Sequence, residues 1–209
     1  MKHYILMCDV IDSRSKTSNL LIENFKKCKN YINKVYSYKI ISPLTITLGD
    51  EFQGLILDLR TSIEIIIAIE EYCIINDFQF KLRYVLIYGE IETEINTKIA
   101  YEMLGTGLTE ARNNLNLLKK KNNRFLIDTK NTIQNSLINN SFKIFQQLVD
   151  KWNRKKDTQL LSSFIKNKDY KLVAKELNID RSQIWKKEKS LNISSYLSIK
   201  EVLTTIPDL

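Results

Sequence analysis

The stretch TITLGDEFQGLI, residues 45–56, constrains the fold more than any other. Apolar and β-branched residues on both sides of Gly49 and Asp50 read as two strands joined by a tight turn. Two successive strands must therefore run antiparallel in the middle of a chain whose other segments alternate strand and helix. A doubly wound sheet, in which every strand returns through a parallel crossover, is excluded by that turn. Before it, YILMCDVI (4–11) is almost wholly apolar, the pattern of a central strand covered by helices. SNLLIENFKKCKNYINKVY (18–36) follows, with Leu20, Leu21, Phe25, Cys28, Ile32 and Val35 at helical spacing and Ser18 placed to cap it. After the hairpin, TSIEIIIAIEEYCIIN (61–76) reads as a helix because its glutamates give it a polar side. FQFKLRYVLIYGEIET (78–93) reads as a strand, GLTEARNNLNLLKKK (107–121) as a helix and RFLID (124–128) as a short strand. The order β-α-β-β-α-β, with a further helix and strand, predicts an α+β fold with a ferredoxin-like antiparallel sheet and helices. No G-x-G-x-x-G is present, and the GTG at 105–107 lacks both a clear preceding strand and a third glycine.

Charge divides the chain. Of the net +8, residues 151–209 carry 13 basic and 7 acidic side chains, against 19 and 17 in residues 1–150. The excess suggests a second domain, 151–209, with a polyanionic partner. NSFKIFQQLVDKWNRKKDTQLLSSFI (140–165) reads as a helical link. Beyond it, YKLVAKELNI and DRSQIWKKEKSL have the pattern of a helix-turn-helix. Val173, Ala174, Leu177 and Ile184 form its apolar face, Asn178 suits a left-handed turn position, and Asp180 or Ser182 can cap the second helix. Arg181, Ser182, Gln183, Lys186 and Lys187 are then the candidates for double-stranded DNA. An ordinary helical hairpin has the same pattern.

The first part carries acids where a turn needs none. All five glycines fall between residues 49 and 107, which brackets a functional centre. Asp9 ends an apolar strand and Asp50 tips the hairpin beside it, with Asp12, Glu51 and the Val10 carbonyl close in sequence. Two carboxylates brought together at strand ends call for a cation, and magnesium suits one or two carboxylates plus phosphate oxygens. The alternative is structural: Asp9 caps a loop, Asp50 supplies turn geometry and Arg83 neutralises both. The single histidine, His3, and three cysteines at spacings matching no metal or redox motif argue against a zinc hydrolase. The N-terminus has no secretory pattern and the most apolar segment is interrupted by Glu64, Glu70 and Glu71, so a cytoplasmic protein with no membrane partner is expected.

The runs CDVIDSR, TLGDEFQGLI, RYVLIYGEIET and GTGLTEAR, in this order, resemble the SatD family of bacterial proteins over nearly the whole chain, including a C-terminal helix-turn-helix. More distantly, the first 127 residues are similar to the catalytic domain of class III nucleotide cyclases. That resemblance implies a nucleotide-cyclase-like domain over 1–150 in which Asp9 and Asp50 hold magnesium on a nucleotide. It further implies Gly49 approaching phosphate and Arg14, Lys16 and Arg112 as cations for phosphate oxygens. The sequence departs from the cyclase pattern at Thr109, where those enzymes have a ribose-orienting asparagine, and Arg112 is displaced by one position from their arginine. Both the resemblance and the helix-turn-helix imply a homodimer. Two functions follow: a nucleotide- and magnesium-responsive DNA-binding regulator, or a nucleotide cyclase or related nucleotidyl transferase using two metal ions. A dimeric scaffold with no ligand is a third.

Overall fold

The computed structural model describes residues 1–13 and 19–208, so Arg14, Lys16 and the Ser18 cap lie outside the described residues. The elements run β1 (Lys2–Val10), α1 (Asn19–Val35), β2 (Ile40–Ile46), β3 (Glu51–Ile56), α2 (Leu59–Ile75), β4 (Leu82–Glu90), α3 (Thr106–Leu118) and β5 (Phe125–Asp128). Five helices follow: α4 (Thr132–Val149), α5 (Arg154–Asn167), α6 (Tyr170–Leu177), α7 (Arg181–Ser190) and α8 (Ile193–Thr205). The sheet order is β2-β3-β1-β4-β5. The first four strands pair antiparallel, the ferredoxin-like arrangement, and β5 adds in parallel beside β4. The sheet is therefore mixed: β4 and β5 are joined by a helical crossover, α3, which brings the chain back in the same direction.

Strand periodicity sends alternate residues of β1 to opposite faces. Leu6, Cys8 and Val10 join Phe25, Ile32, Ile63 and Ile66 on one side, under α1 and α2. Ile5 and Met7 join Val85, Ala111 and Leu115 on the other, under α3. Helix α3 lies close on the sheet because two glycines meet there. A Cβ on Gly107 would stand 2.6 Å from the Gly89 carbonyl carbon, and one on Gly89 would stand 2.5 Å from Gly107 Cα. The α1/α2 core continues without a break into the C-terminal helices, reaching Leu161, Val173, Ile184, Tyr196 and Leu203. Tyr196 packs against Trp152 and Phe145 and donates to Glu71 Oε1 of α2 at 2.6 Å.

The segment expected as one helical link is two helices. The chain turns at Asp150–Asn153, where Trp152 is buried and donates its indole N–H to the Leu191 carbonyl at 2.8 Å, and Asn153 caps α5 by accepting from the Lys156 amide. β4 starts at Leu82; Phe78 and Phe80 precede it and are buried outside the strand. No helix among the described residues is long and apolar enough to cross a membrane.

Candidate functional site

The end of the sheet beside the hairpin turn gathers the acids. Asp9 pairs in register with Glu51 on one side and Arg83 on the other. The two-residue period puts Asp9 on the face of Ile5 and Met7, toward α3. Asp9 is only 2% exposed. Its Oδ2 lies 3.2 Å from Arg83 Nη1 and 3.4 Å from Lys119 Nζ, while its Oδ1 is buried with no hydrogen-bond partner among the described residues. Burial pushes the Asp9 carboxyl above its ordinary range, and the opposing pull of Arg83 and Lys119 does not cancel that effect. Glu51, also buried, accepts from Lys119 Nζ at 3.0 Å and pairs with Arg112.

Asp50 lies at the turn. Gly49 takes φ +79°, a left-handed conformation open to glycine at little cost, and the space around its α-carbon is open. Here the glycine serves the turn's geometry. The Asp50 carbonyl accepts from the Val10 amide at 3.0 Å and its carboxylate accepts from Ser13 Oγ at 2.5 Å. Asp9, Asp12, Asp50 and Glu51 line one cleft of about 810 Å³, together with the Val10 segment, Arg83 and Lys119. Arg112 lines an adjoining cleft with Asn116 and shares Glu51 and Lys119 with the first.

A profile of the SatD family (SatD) matches residues 4–206. The chain belongs to the SatD family. No curated protein matches the SatD chain. Among solved structures, a bacterial light-regulated adenylyl cyclase is 15% identical with a TM-score of 0.44, covering 60% of the SatD chain and 74% of its own. A second structure of a bacterial light-regulated adenylyl cyclase gives 15% and 0.44 over 61% and 43%. The guanylate cyclase domain of RhGC from Catenaria anguillulae, in complex with GTP, gives 15% and 0.37 over 53% and 70%.

Among the described residues of the SatD chain, no three His, Cys, Asp or Glu side chains form a ready-made metal cluster. The donor chemistry nevertheless fits a hard cation: Asp9 and Asp50 line one cleft, and one Asp9 carboxylate oxygen has no hydrogen-bond partner among the described residues. Thr109 lies elsewhere, in a cleft with Glu92 and Asn113, and its hydroxyl is 3.4 Å from the Gly105 carbonyl. The residue that reading the sequence missed is Lys119, which reaches both Asp9 and Glu51. Its signal was present: Arg112, Asn116 and Lys119 are spaced to share one helical face.

The helix-turn-helix residues take definite places. Asn178 adopts φ +52° between α6 and α7, and the Asp180 carboxylate caps α7 by accepting from the Ser182 and Gln183 amides. Val173, Ala174 and Ile184 are buried and Leu177 packs against them. Arg181, Ser182, Gln183 and Lys186 are exposed. Lys187 is half-buried and its ammonium lies 3.3 Å from Asp157 of α5. Trp185 is 47% exposed, with Lys189 Nζ 5.8 Å from its ring centroid.

Proposed function

We propose that this SatD-family protein is a DNA-binding regulator that responds to a nucleotide carried with magnesium in the Asp9–Asp50 cleft. The observation that carries this reading is the Asp9 Oδ1, a buried acid oxygen without a hydrogen-bond partner among the described residues, on a residue that lines one cleft with Asp50. A buried carboxylate oxygen left unpaired is costly, and a divalent ion offsets that cost. Asp9 and Asp50 would hold the ion, which supplies charge neutralisation for phosphate oxygens. Arg83 and Lys119 orient Asp9 by holding its other oxygen. Thermal shift across a nucleotide panel, with and without magnesium, tests the cleft. Stabilisation that needs both ligands and disappears in Asp9→Asn and Asp50→Asn is expected; equal stabilisation in the variants removes the reading.

The α6–α7 pair supplies the second half of the function. Arg181, Gln183 and Lys186 are exposed together on α7, and the paired Lys187 contributes to holding α7 on α5. Each phosphate neutralised releases counterions, so duplex binding should weaken steeply with salt. Lys186→Ala should lower affinity for every sequence alike, and Arg181 or Gln183 changes should alter preference between sequences. Fluorescence anisotropy at low salt decides it, and no binding by the intact protein there makes the pair a protein-interaction module.

A catalytic reading draws on one observation, the guanidinium of Arg112 and the amide of Asn116 lining a cleft that adjoins the two acids. Formation of a cyclic nucleotide or of pyrophosphate from a nucleoside triphosphate would establish turnover. Binding without product leaves the regulator.

A further inference from the structure

A second cleft, of about 850 Å³, opens beside the first, and Asp12, Arg83 and Lys119 stand between the two. Eight basic side chains line it against two acidic ones, Asp12 and Asp150. Much of that charge is answered from inside the protein. Lys81 and Arg124 reach Asp150, Arg83 reaches Asp9, and Lys119 reaches Asp9 and Glu51. Arg124 and Arg154 share Glu70. Three lysines remain. Lys120, Lys121 and Lys155 are exposed and make no ion pair among the described residues.

Two further features point the same way. Helix α5 begins at this cleft with Arg154 and Lys155, so the positive end of its dipole adds to the lysines. The Arg154 side chain is 9% exposed, and its Nε and Nη2 have no hydrogen-bond partner among the described residues, Nη2 lying 3.7 Å from Glu70 Oε2; Nη1 donates to the Phe80 carbonyl at 3.2 Å. Cations on the α3–β5 connection and on the first turn of α5 thus converge on one concavity from different parts of the chain. Low-dielectric walls concentrate such a field. A cleft of this size suits a small ligand, whereas a duplex backbone is met by an open strip of cations.

We propose that this cleft is a second anion site, taking a phosphorylated ligand of nucleotide size through Lys120, Lys121, Lys155 and the start of α5. The proposal stands apart from the cation-dependent cleft and needs no magnesium. Isothermal titration calorimetry on the intact protein in EDTA, with inorganic pyrophosphate and with a nucleoside triphosphate as probes, tests it. The parent and a control variant, Lys98→Gln, Lys171→Gln, Lys175→Gln, at exposed lysines outside the cleft, should bind pyrophosphate alike. The cleft variant Lys120→Gln, Lys121→Gln, Lys155→Gln, all at exposed positions, should bind at least roughly tenfold more weakly, since charge-assisted bonds to phosphate are lost. Tighter binding of the triphosphate than of pyrophosphate, lost in the same variant, extends the site to the nucleoside; equal binding limits it to the phosphates. Unchanged pyrophosphate binding in the cleft variant overturns the proposal, and so does equal loss in the control variant, which would assign the effect to net charge alone. A cleft variant that keeps pyrophosphate and loses duplex DNA would overturn it in favour of a nucleic-acid surface.

Discussion

Asp9 and Glu70 are both buried acids, and their neighbours set them apart. Around Asp9 burial dominates, so the folded protein holds this proton to higher pH than the unfolded chain does. The stabilisation from that proton is complete below the unfolded value and is lost as pH rises through the folded one. Asp9→Asn should therefore raise the melting temperature of the magnesium-free protein at neutral pH, and the gain should shrink as pH falls below about 4, where the acid becomes protonated in the unfolded chain as well. Melts across that range check the sign, and a less stable variant at neutral pH would mean that the ion pairs with Arg83 and Lys119 outweigh burial. Around Glu70 burial also pushes the carboxyl up, but the Arg124 guanidinium, with bonds of 2.9 Å to each oxygen, outweighs it and holds Glu70 below its ordinary range. Its contribution is present above the unfolded value and lost as pH falls through the folded one. Arg124→Ala leaves that buried carboxylate without its fork and should cost about 3–5 kcal/mol. Urea denaturation at neutral pH measures this, and a loss within the range of an exposed pair would show that Arg154 and Tyr84 suffice for Glu70.

At the scale of elements, α3 brings two of the acids' partners, Arg112 and Lys119. Its approach depends on the contact of Gly107 with Gly89, and a Cβ at Gly107 would also stand 2.7 Å from Ile5 Cδ1. Gly107→Ala should force α3 away from the sheet at about 1–3 kcal/mol. Because Arg112 lies on α3 and Lys119 at its end, the same change should weaken magnesium-dependent nucleotide binding. Denaturation together with the thermal-shift assay checks both, and an unchanged denaturation midpoint would show that β4 and α3 have room to adjust. Gly49 stands in contrast, with open space and a positive φ, so Gly49→Ala strains the turn and leaves the packing alone. The turn between α6 and α7 shows how far local chemistry reaches. Asn178 in the left-handed position and Asp180 as cap are sequence features that perform in the fold as their residue types suggest.

For the whole molecule, charge and packing divide the chain differently. Most of the excess positive charge sits after residue 150, yet the apolar core passes from the sheet through α4 and α5 to α8. Phe145, Trp152 and Tyr196 form an aromatic seam, and Glu71 of α2 takes both the Tyr196 hydroxyl and Lys200. A core shared in this way should unfold in one cooperative transition. Calorimetric and van't Hoff enthalpies should agree, and far- and near-UV signals should change together. Two separated transitions would show that the helices after residue 150 hold together independently.

The sequence by itself determined most of the elements and their order. Strand alternation, helical spacing, glycine at a tight turn and polar caps are set by the backbone within a few residues, so they are readable without the fold. It also placed Asp9 and Asp50 on one end of the sheet, because a hairpin beside the first strand leaves little freedom in topology. Only the tertiary structure decided what those acids meet. Strand register set Glu51 and Arg83 on either side of Asp9, and the seating of α3 brought Lys119 from far along the chain. It likewise turned Lys187 toward Asp157 and broke the helical link at Trp152, which is buried against residues almost forty positions later. Those pairings depend on how distant elements pack, and local periodicity carries no information about the partner across the core.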